Sequence, residues 1–350
     1  MYAEITAQLL LHGIEKVIIL ARSEGRYITA REEWRHLKSN SPGLDNRTEF
    51  VKCDLQDIQD VKLAAEKIKQ ITDRVHILIC NAGEFLFTVL STYRPVLIQS
   101  FLNKGLGVEN MHKCSPQNIE RVFATNCVGH QVLATLLLPL LKNAVVTSDN
   151  GDARIVVVSS SFHSLCQQLD LNLLTSSSRV KWPALYDGVW RYGRSKLGNI
   201  LFAQELSRRL LLKDEDPASK HIYVNSFFPG NIVTDQWFGW DSFFGTFVGG
   251  LIRTTGSCLG QYPEDGAATA LYLAASREVP AQNLRGQYFV PVATPCEPSA
   301  IAGNRKLARD LWVSVLIASI SNMLESVLIT AQDWIESRAT ETLGSDWQNQ

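Results

Sequence analysis

The amino-acid sequence predicts an α/β fold with a doubly wound, mostly parallel sheet. Short apolar runs alternate along the chain with segments of helical periodicity, which is typical of repeated strand–helix–strand units. Several apolar runs end in glycine or small polar residues, as expected where parallel strands end at a ligand-binding edge. Hydrophobic residues form 45% of the 350-residue chain, enough to bury the core of one large domain.

The individual elements follow from the spacing of apolar residues. Apolar positions at Ile5, Leu9 and Leu10 predict an opening helix, and Gly13 suits the residue after a helix end. The continuous apolar runs predict strands at Val17–Leu20, Phe50–Cys53, Val75–Cys80, Ile155–Val158, His221–Phe227 and Gly286–Val290. The longer periodic segments predict helices at Val61–Ile71, Ile119–Leu141, Ser195–Leu212 and Gly266–Ala275. The apolar stretch Leu311–Ile329 contains Asn322 and Glu325, so we expect an amphipathic or packed helix rather than a membrane span.

Charge and cysteine content exclude several classes of function. The 34 basic and 35 acidic residues give a net charge of −1, without the basic excess typical of nucleic-acid binding. The seven cysteines are scattered and no pair has CxxC spacing, which argues against a zinc site or a redox motif and predicts no metal. An odd number of scattered cysteines fits reduced thiols, so we expect a cytoplasmic location, with membrane association left open.

A phenol and an ammonium group stand four residues apart at Tyr192 and Lys196. At this spacing two side chains are neighbours on one helix face. A cation beside a phenol lowers the phenol's pKa, so such a tyrosine can exchange a proton with an alcohol or a carbonyl. Alone, the spacing is common by chance, and an incidental tyrosine and lysine near a half-exposed helix N-terminus is the more frequent explanation.

Two polar positions give this pair its significance. The strand Ile155–Val158 ends in three serines, and a hydroxyl there could donate to a substrate oxygen, although serine-rich turns are common. Asn126 interrupts an apolar helix, and a buried amide needs partners. Asn126 is therefore either a structural bridge or part of a proton relay.

The motifs, in this order, resemble the short-chain dehydrogenase/reductase family over about residues 4–311. The stretches that carry the resemblance read HILICNAG, RIVVVSS, YGRSKLGNILFAQELSRRL and PGNIVTD. They are most similar to the branch of the family that contains WW-domain-containing oxidoreductases, and next to retinol-dehydrogenase-like members. The resemblance implies a Rossmann-type fold and NADP- or NAD-dependent interconversion of an alcohol and a carbonyl.

The resemblance also implies a role for each matching residue. Tyr192 would be the general acid and base, and Lys196 would lower its pKa and hold the nicotinamide ribose. Ser160 would orient the substrate oxygen, with Ser159 less favoured for that role. Asn126 would hold a relay water. The residues expected to bind the cofactor are Arg22, Asp54, Leu55, Asn81, Ala82, Gly83, Pro229, Gly230, Ile232 and Thr234, together with Tyr192 and Lys196.

Arg22 bears on the choice of nicotinamide cofactor. It follows the first predicted strand, where an acidic residue would read a free ribose 2′-hydroxyl. An arginine suits a 2′-phosphate instead, so we expect NADP, with NAD possible.

Two features depart from the family pattern. The chain opens within the first helix, so we expect the first strand and the glycine-rich phosphate loop to be lacking, which would weaken cofactor binding. About residues 85–115 look like an insertion. We therefore expect an incomplete dehydrogenase domain at 1–311, followed by a C-terminal helix and polar tail at 312–350.

The sequence is compatible with two functions. One is an NADP-dependent oxidoreductase, and aromatic residues between Gln236 and Phe244 favour an apolar substrate such as a steroid or retinoid. The other is a catalytically impaired dehydrogenase fold that acts as an interaction module with protein partners. In either case a homodimer is possible, because relatives often pair through the helices around Asn126 and Ser195.

Overall fold

The computed structural model of the protein describes residues 2–36, 44–81, 113–147, 151–171, 187–230 and 263–319. The helices are α1 (Tyr2–Leu11), α2 (Glu24–His36), α3 (Ile58–Ile71), α4 (Arg121–Thr147), α5 (Asp187–Leu212), α6 (Pro263–Ala275), α7 (Glu278–Ala281) and α8 (305–319). The strands are β1 (Val17–Ala21), β2 (Thr48–Lys52), β3 (Ile77–Cys80), β4 (Ala153–Val158), β5 (Ile222–Phe227), β6 (Tyr288–Val290) and β7 (Thr294–Cys296).

The strands form two sheets. β1 pairs in parallel with β2, and the larger sheet has the order β3-β4-β5-β6-β7. β3 to β6 run parallel, and β7 returns antiparallel to β6. Among the described residues no strand pairs with both β1 and β3 to join the two sheets, and the lack of a first strand stays a prediction.

Alternate residues of the strands face two helical layers, which is the arrangement of a doubly wound fold. On one face, Leu78, Ile155, Val157 and Val224 pack with α3, α4, α5 and α8. On the other face, Val156, Val158 and Phe227 pack with α1, α6 and α7. The predicted α/β class is confirmed.

The smaller sheet continues the same layers. Ile18 and Leu20 of β1 lie against the first core, whereas Val17 and Ile19 face a cluster formed by α1 and Trp34 of α2. Helix α1 contributes to this cluster and also, through Ile5, to the second core. The two sheets are therefore held together by side chains on both faces.

Helix α1 ends as the sequence predicts. Gly13 has φ +92°, and the Gly13 and Ile14 amides donate to the carbonyls of Leu10 and Leu9. These two bonds form a Schellman motif, in which a left-handed residue lets the chain satisfy the last helical carbonyls.

Three local expectations need correction. β1 is half-buried throughout rather than buried, because it has a neighbouring strand on one side only among the described residues. Helix α5 begins at Asp187, eight residues before the predicted start at Ser195, and therefore contains the whole Tyr192–Lys196 pair. Helix α2 and strand β7 were not predicted, since α2 is too polar to show an apolar face in the sequence.

Helix α4 is long and apolar enough to span a bilayer by composition alone, but 72% of its most apolar window is buried inside the protein. Its apolar residues face the core rather than a continuous outer surface. In the predicted C-terminal helix, residues 305–319 are helical, and Leu311, Trp312 and Val315 are buried in the first core. Most of the expected insertion and the aromatic segment Gln236–Phe244 lie outside the described residues.

Candidate active site

The carboxyl end of β4 and one face of α5 form the centre of the candidate site. Tyr192 and Lys196 lie inside α5, and the Lys196 Nζ is 5.5 Å from the centroid of the Tyr192 ring. Tyr192 is half-buried, whereas Lys196 is 2% exposed. The helical spacing thus brings the two side chains together as the sequence predicts.

Lys196 is anchored on the last carbonyl of β4. Its Nζ donates to the Val158 oxygen at 3.1 Å, and the Asn199 Nδ2 donates to the same oxygen at 2.8 Å. Burial lowers the pKa of Lys196 to about 8, because a charged amine is poorly solvated there. The ammonium is therefore close to its titration point in the neutral to mildly alkaline range.

The two serines after β4 have different hydrogen-bond roles. The Ser159 hydroxyl donates to the backbone oxygen of Lys196 at 2.9 Å and so ties β4 to α5. The Ser160 Oγ accepts the Phe162 amide at 3.3 Å, and the Phe162 ring packs edge-on against Tyr192 with 6.0 Å between ring centroids. Because Ser160 accepts in this contact, its hydroxyl proton can be donated to a ligand.

Asn126 lies in a π-helical segment of α4, Ala124–Val128, and is fully buried. Its Nδ2 donates to the Ser195 Oγ at 2.9 Å, and that hydroxyl donates to the Tyr192 backbone oxygen at 2.7 Å. The sequence left two roles open for Asn126, and these bonds give it the role of a structural bridge between α4 and α5. A relay water on Asn126 stays a prediction.

The backbone oxygen of Asn126 lies 2.8 Å from the Nδ1 of His130. Burial lowers the pKa of His130 to about 4, so the ring is neutral near pH 7 and its Nδ1 can donate to this carbonyl. The imidazole thus adds a side-chain donor to a backbone carbonyl of the π-helical segment.

A second, charged link joins α4 and α5 through the residue directly before the tyrosine. The Glu120 carboxylate caps α4 by accepting the amides of Val122 and Phe123 at 3.1 and 3.0 Å. Its Oε1 also lies 3.7 Å from an Nη of Arg191, and both side chains are less than 10% exposed. The pair fixes the start of α4 beside the residue that precedes Tyr192.

The predicted cofactor residues in the described range gather at the carboxyl ends of the strands. Asn81 follows β3, and its Oδ1 is buried without a hydrogen-bond partner in the described part of the chain. Arg22 is exposed directly after β1, while Pro229 and Gly230 follow β5 and are half-buried. Ala82, Gly83, Ile232 and Thr234 lie outside the described residues.

Two other expected cofactor residues are used by the protein itself. The Asp54 carboxylate accepts the Gln56 amide at 3.2 Å and the Gln56 side chain at 2.8 Å. Leu55 is 8% exposed and belongs to the first core. Asp54 keeps free acceptor capacity for a ligand, whereas Leu55 contributes chiefly packing.

Sequence reasoning missed His130, His163, Ser195 and Asn199, which hold the site together. Each lies three or four positions after a predicted residue along a helix or turn, but polar residues at such spacings have no distinctive pattern. Among the described residues there is no group of three or more His, Cys, Asp or Glu side chains that could hold a metal ion.

Comparison with known proteins identifies the family. The short chain dehydrogenase model matches residues 3–165. Short-chain dehydrogenase/reductase drtF of Aspergillus calidoustus is 28% identical over 308 residues, covering 87% of this chain and 85% of the relative. WW domain-containing oxidoreductase of Gallus gallus is 31% identical over 314 residues, covering 86% of this chain but 61% of the relative. The predicted resemblance to that branch is confirmed.

Solved structures agree in fold. An uncharacterized protein from Mycobacterium paratuberculosis superposes with a TM-score of 0.58 at 22% identity, covering 91% of this chain and 88% of the other. RhlG of Pseudomonas aeruginosa, solved as an NADP active-site complex, gives 0.52 at 17% identity, covering 85% and 91%. Since the relatives align over most of the sequence and the fold is the same, the chain belongs to the short-chain dehydrogenase/reductase family of oxidoreductases.

Proposed function

We propose that this protein is an NADP-dependent oxidoreductase that interconverts an alcohol and a ketone or aldehyde. The observation that carries the proposal is the pairing of Tyr192 and Lys196 on one face of α5, with the Ser160 hydroxyl at the adjoining end of β4. A proton donor, a cation and a hydrogen-bond donor at one edge of the sheet suit a reaction in which an oxygen changes its protonation state.

The chain's own residues would handle the proton and the oxygen. In the reductive direction the Tyr192 hydroxyl gives its proton to the carbonyl oxygen, which becomes the alcohol, and the reverse reaction returns that proton. The Lys196 charge stabilises the phenolate left behind, and the Ser160 hydroxyl donates to the substrate oxygen as negative charge grows on it. A bound nicotinamide would supply or accept the hydride at the carbon atom.

The described residues fit a dinucleotide. The buried Oδ1 of Asn81 has no hydrogen-bond partner among the described residues, so it is an acceptor that a ligand hydroxyl could satisfy. Arg22 and Asp54 lie at the ends of β1 and β2, where an adenosine would bind in a doubly wound fold. The NADP complex of RhlG, a fold neighbour, supports the same cofactor class.

Cofactor preference is tested by titrating the purified chain with NADPH and NADH and following the nucleotide fluorescence. Arg22→Ala should weaken NADPH binding about tenfold or more, because a charge-assisted hydrogen bond to phosphate contributes about 1.5–3 kcal/mol, and should leave NADH unchanged. Lys67→Ala removes an exposed charge on α3 and serves as the control. Equal weakening of both nucleotides would contradict the role of Arg22.

Chemistry is tested by Tyr192→Phe, which should lower kcat about 100-fold or more while nucleotide binding persists. The matched control is Tyr272→Phe on α6, whose hydroxyl donates to Glu278 at 2.8 Å on the far side of the sheet. A Tyr192→Phe protein that turns over as fast as the control would rule out this mechanism.

For the substrate we propose a bulky apolar alcohol or carbonyl of steroid or retinoid type. The aromatic residues between Gln236 and Phe244 support it, as does human retinol dehydrogenase 14, which is 29% identical over 276 residues, 77% of this chain and 67% of that protein. A panel of retinoid, steroid and short polar carbonyls separates the alternatives. Turnover of the short polar compounds alone would contradict the proposal.

A second candidate is an interaction module without turnover. In the described residues β1–β2 and β3–β7 form separate sheets, which favours this candidate. The strand ends that would bind the nucleotide would then be held less firmly relative to one another. Absence of saturable NADPH and NADH binding, in a chain that unfolds cooperatively, would support this function over the first.

We also propose that the chain forms a homodimer through α4 and α5 and lies in the cytoplasm. Light scattering after size-exclusion chromatography tests the homodimer, and a monomer mass at all concentrations would contradict it. A cytoplasmic location is tested by imaging a tagged full chain. Co-sedimentation of that chain with membranes would contradict it.

A further inference from the structure

His163, three residues after Ser160, has both ring nitrogens in hydrogen bonds. Its Nδ1 lies 2.7 Å from the Ser160 backbone oxygen, and its Nε2 lies 3.2 Å from the Ser299 amide nitrogen. A backbone amide can only donate, so Nε2 must be the acceptor and carry no proton. The single proton of the neutral ring is then on Nδ1, which donates to Ser160.

The surroundings hold the ring in this form. His163 is 5% exposed, and its ring packs edge-on against Tyr288 of β6, with 5.1 Å between ring centroids. Burial lowers the pKa of His163, which keeps it neutral near pH 7.

The contacts of His163 account for most of what orients Ser160. The Ser160 oxygen accepts from the His163 ring and also from the His163 backbone amide at 3.1 Å. On the other side of the residue, the Ser160 Oγ accepts the Phe162 amide. Rotation of the Ser160 peptide would break the two bonds to His163 and move the hydroxyl.

The other ring nitrogen fixes the chain that leads to α8. The Ser299 oxygen accepts the amides of Ala302 and Gly303 at 2.8 and 3.2 Å, which starts the turn before that helix. Helix α8 is itself held by Trp312, which stacks on Phe202 of α5. The imidazole thus bridges Ser160 to a segment that is anchored on the helix carrying Tyr192.

We propose that His163 is a positioning residue for Ser160: its Nδ1–H and its Nε2 hold the Ser160 carbonyl against the fixed 299–303 turn. The inference rests on the proposed function, in which the Ser160 hydroxyl donates to the substrate oxygen. His163 itself touches no reacting atom and acts through Ser160.

Three substitutions separate the two nitrogen contacts. His163→Asn carries an amide donor near the Nδ1 position, His163→Gln carries an amide near the Nε2 position, and His163→Phe has neither. The Asn variant keeps the donor to the Ser160 carbonyl but loses the Ser299 contact, so we expect its kcat to fall by about threefold. The Gln and Phe variants lose that donor, and their kcat should fall at least about tenfold, with nucleotide affinity unchanged in all three.

The decisive comparison repeats His163→Phe in a Ser160→Ala background. If His163 acts through Ser160, the substitution lowers kcat by less than about twofold there, because the group that it positions is already gone. A purely structural role would lower kcat equally in both backgrounds, and would make the Asn and Phe variants equally slow. Either of those results would overturn the proposal.

A second measurement needs no turnover. The ¹⁵N spectrum of histidine-labelled free protein should show His163 protonated on Nδ1, with an unprotonated Nε2, and His163→Asn identifies the signal. Protonation on Nε2 would overturn the proposal. Absence of turnover by the parent protein would contradict the proposed function while leaving the tautomer as expected, whereas turnover with no Ser160-dependent loss would contradict the positioning role alone.

Discussion

Ser195 connects the two helices of the candidate site and offers the sharpest perturbation. Its hydroxyl accepts from the Asn126 Nδ2 at 2.9 Å and donates to the Tyr192 oxygen at 2.7 Å, and the residue is fully buried. Ser195→Ala removes both bonds, so the Asn126 amide loses the acceptor that ties it to α5. We expect the protein to fold with lower stability and with Tyr192 less firmly placed.

The magnitude follows from the two lost bonds. Removing the acceptor of a buried donor costs about 1–3 kcal/mol, and the lost bond to Tyr192 adds about 0.5 kcal/mol, since that carbonyl can keep its helical partner. The free energy of unfolding should therefore fall by about 1.5–3.5 kcal/mol. An Asn126→Ala, Ser195→Ala double variant should lose less than the sum of the single variants, because one bond is shared.

Urea unfolding followed by circular dichroism measures the effect, together with kcat under saturating substrate. The control is Ser207→Ala, on the same helix and 5% exposed, with no hydrogen bond from its side chain within the described residues. Equal midpoints for the Ser195 and Ser207 variants, or additive losses in the double variant, would refute the bridge.

Three further outcomes follow from the buried groups. The folded pKa of His130, about 4, lies below its unfolded value near 6.5, so the unfolded chain binds more protons between these values and stability is lost as pH falls. The free energy of unfolding from urea titrations at pH 7 and 5 should therefore differ by about 2 kcal/mol. His130→Asn, which keeps a donor but does not titrate, should shrink that difference. Burial lowers the pKa of Lys196 to about 8, so kcat/KM for reduction should fall above that pH. Lys196→Met should remove most activity at every pH. A kcat/KM profile that stays flat to about pH 10 would contradict this. Gly198→Ala places a Cβ 2.8 Å from the Cys127 Sγ and 3.0 Å from the Phe123 ring, so it should destabilise the protein by about 1–3 kcal/mol. The control is Gly25→Ala on α2, whose Cβ meets nothing closer than 3.9 Å. That variant should be neutral or stabilising in the same urea assay.

Much of the fold could be predicted from local patterns. The apolar runs that became β3, β4 and β5 were found within two residues of their ends, because buried parallel strands are apolar on both faces. Helix α2 was missed for the opposite reason, since its sequence EGRYITAREEWRH places few apolar residues on any face. The start of α5 was misplaced because polar residues precede Ser195, and tertiary packing rather than periodicity extends that helix.

The candidate site divides in the same way. Tyr192 and Lys196 could be paired from sequence, because helix geometry fixes the contact between residues four apart. The choice between Ser159 and Ser160 depends on which hydroxyl donates to the backbone of α5. Only the packed structure assigns that bond to Ser159 and leaves the Ser160 hydroxyl as an acceptor of the Phe162 amide. Asn126 likewise became a bridge through Ser195, 69 positions away along the chain.

The sequence by itself determined the class of fold, the family and the pair of residues that could exchange a proton, since each depends on local spacing or on an ordered set of motifs. The tertiary structure alone decided how those residues are held. Bonds such as Lys196 to Val158, Asn126 to Ser195 and His163 to Ser299 join segments that are distant along the chain. Burial then sets the protonation of these groups, because it depends on neighbours that come together only when the layers pack.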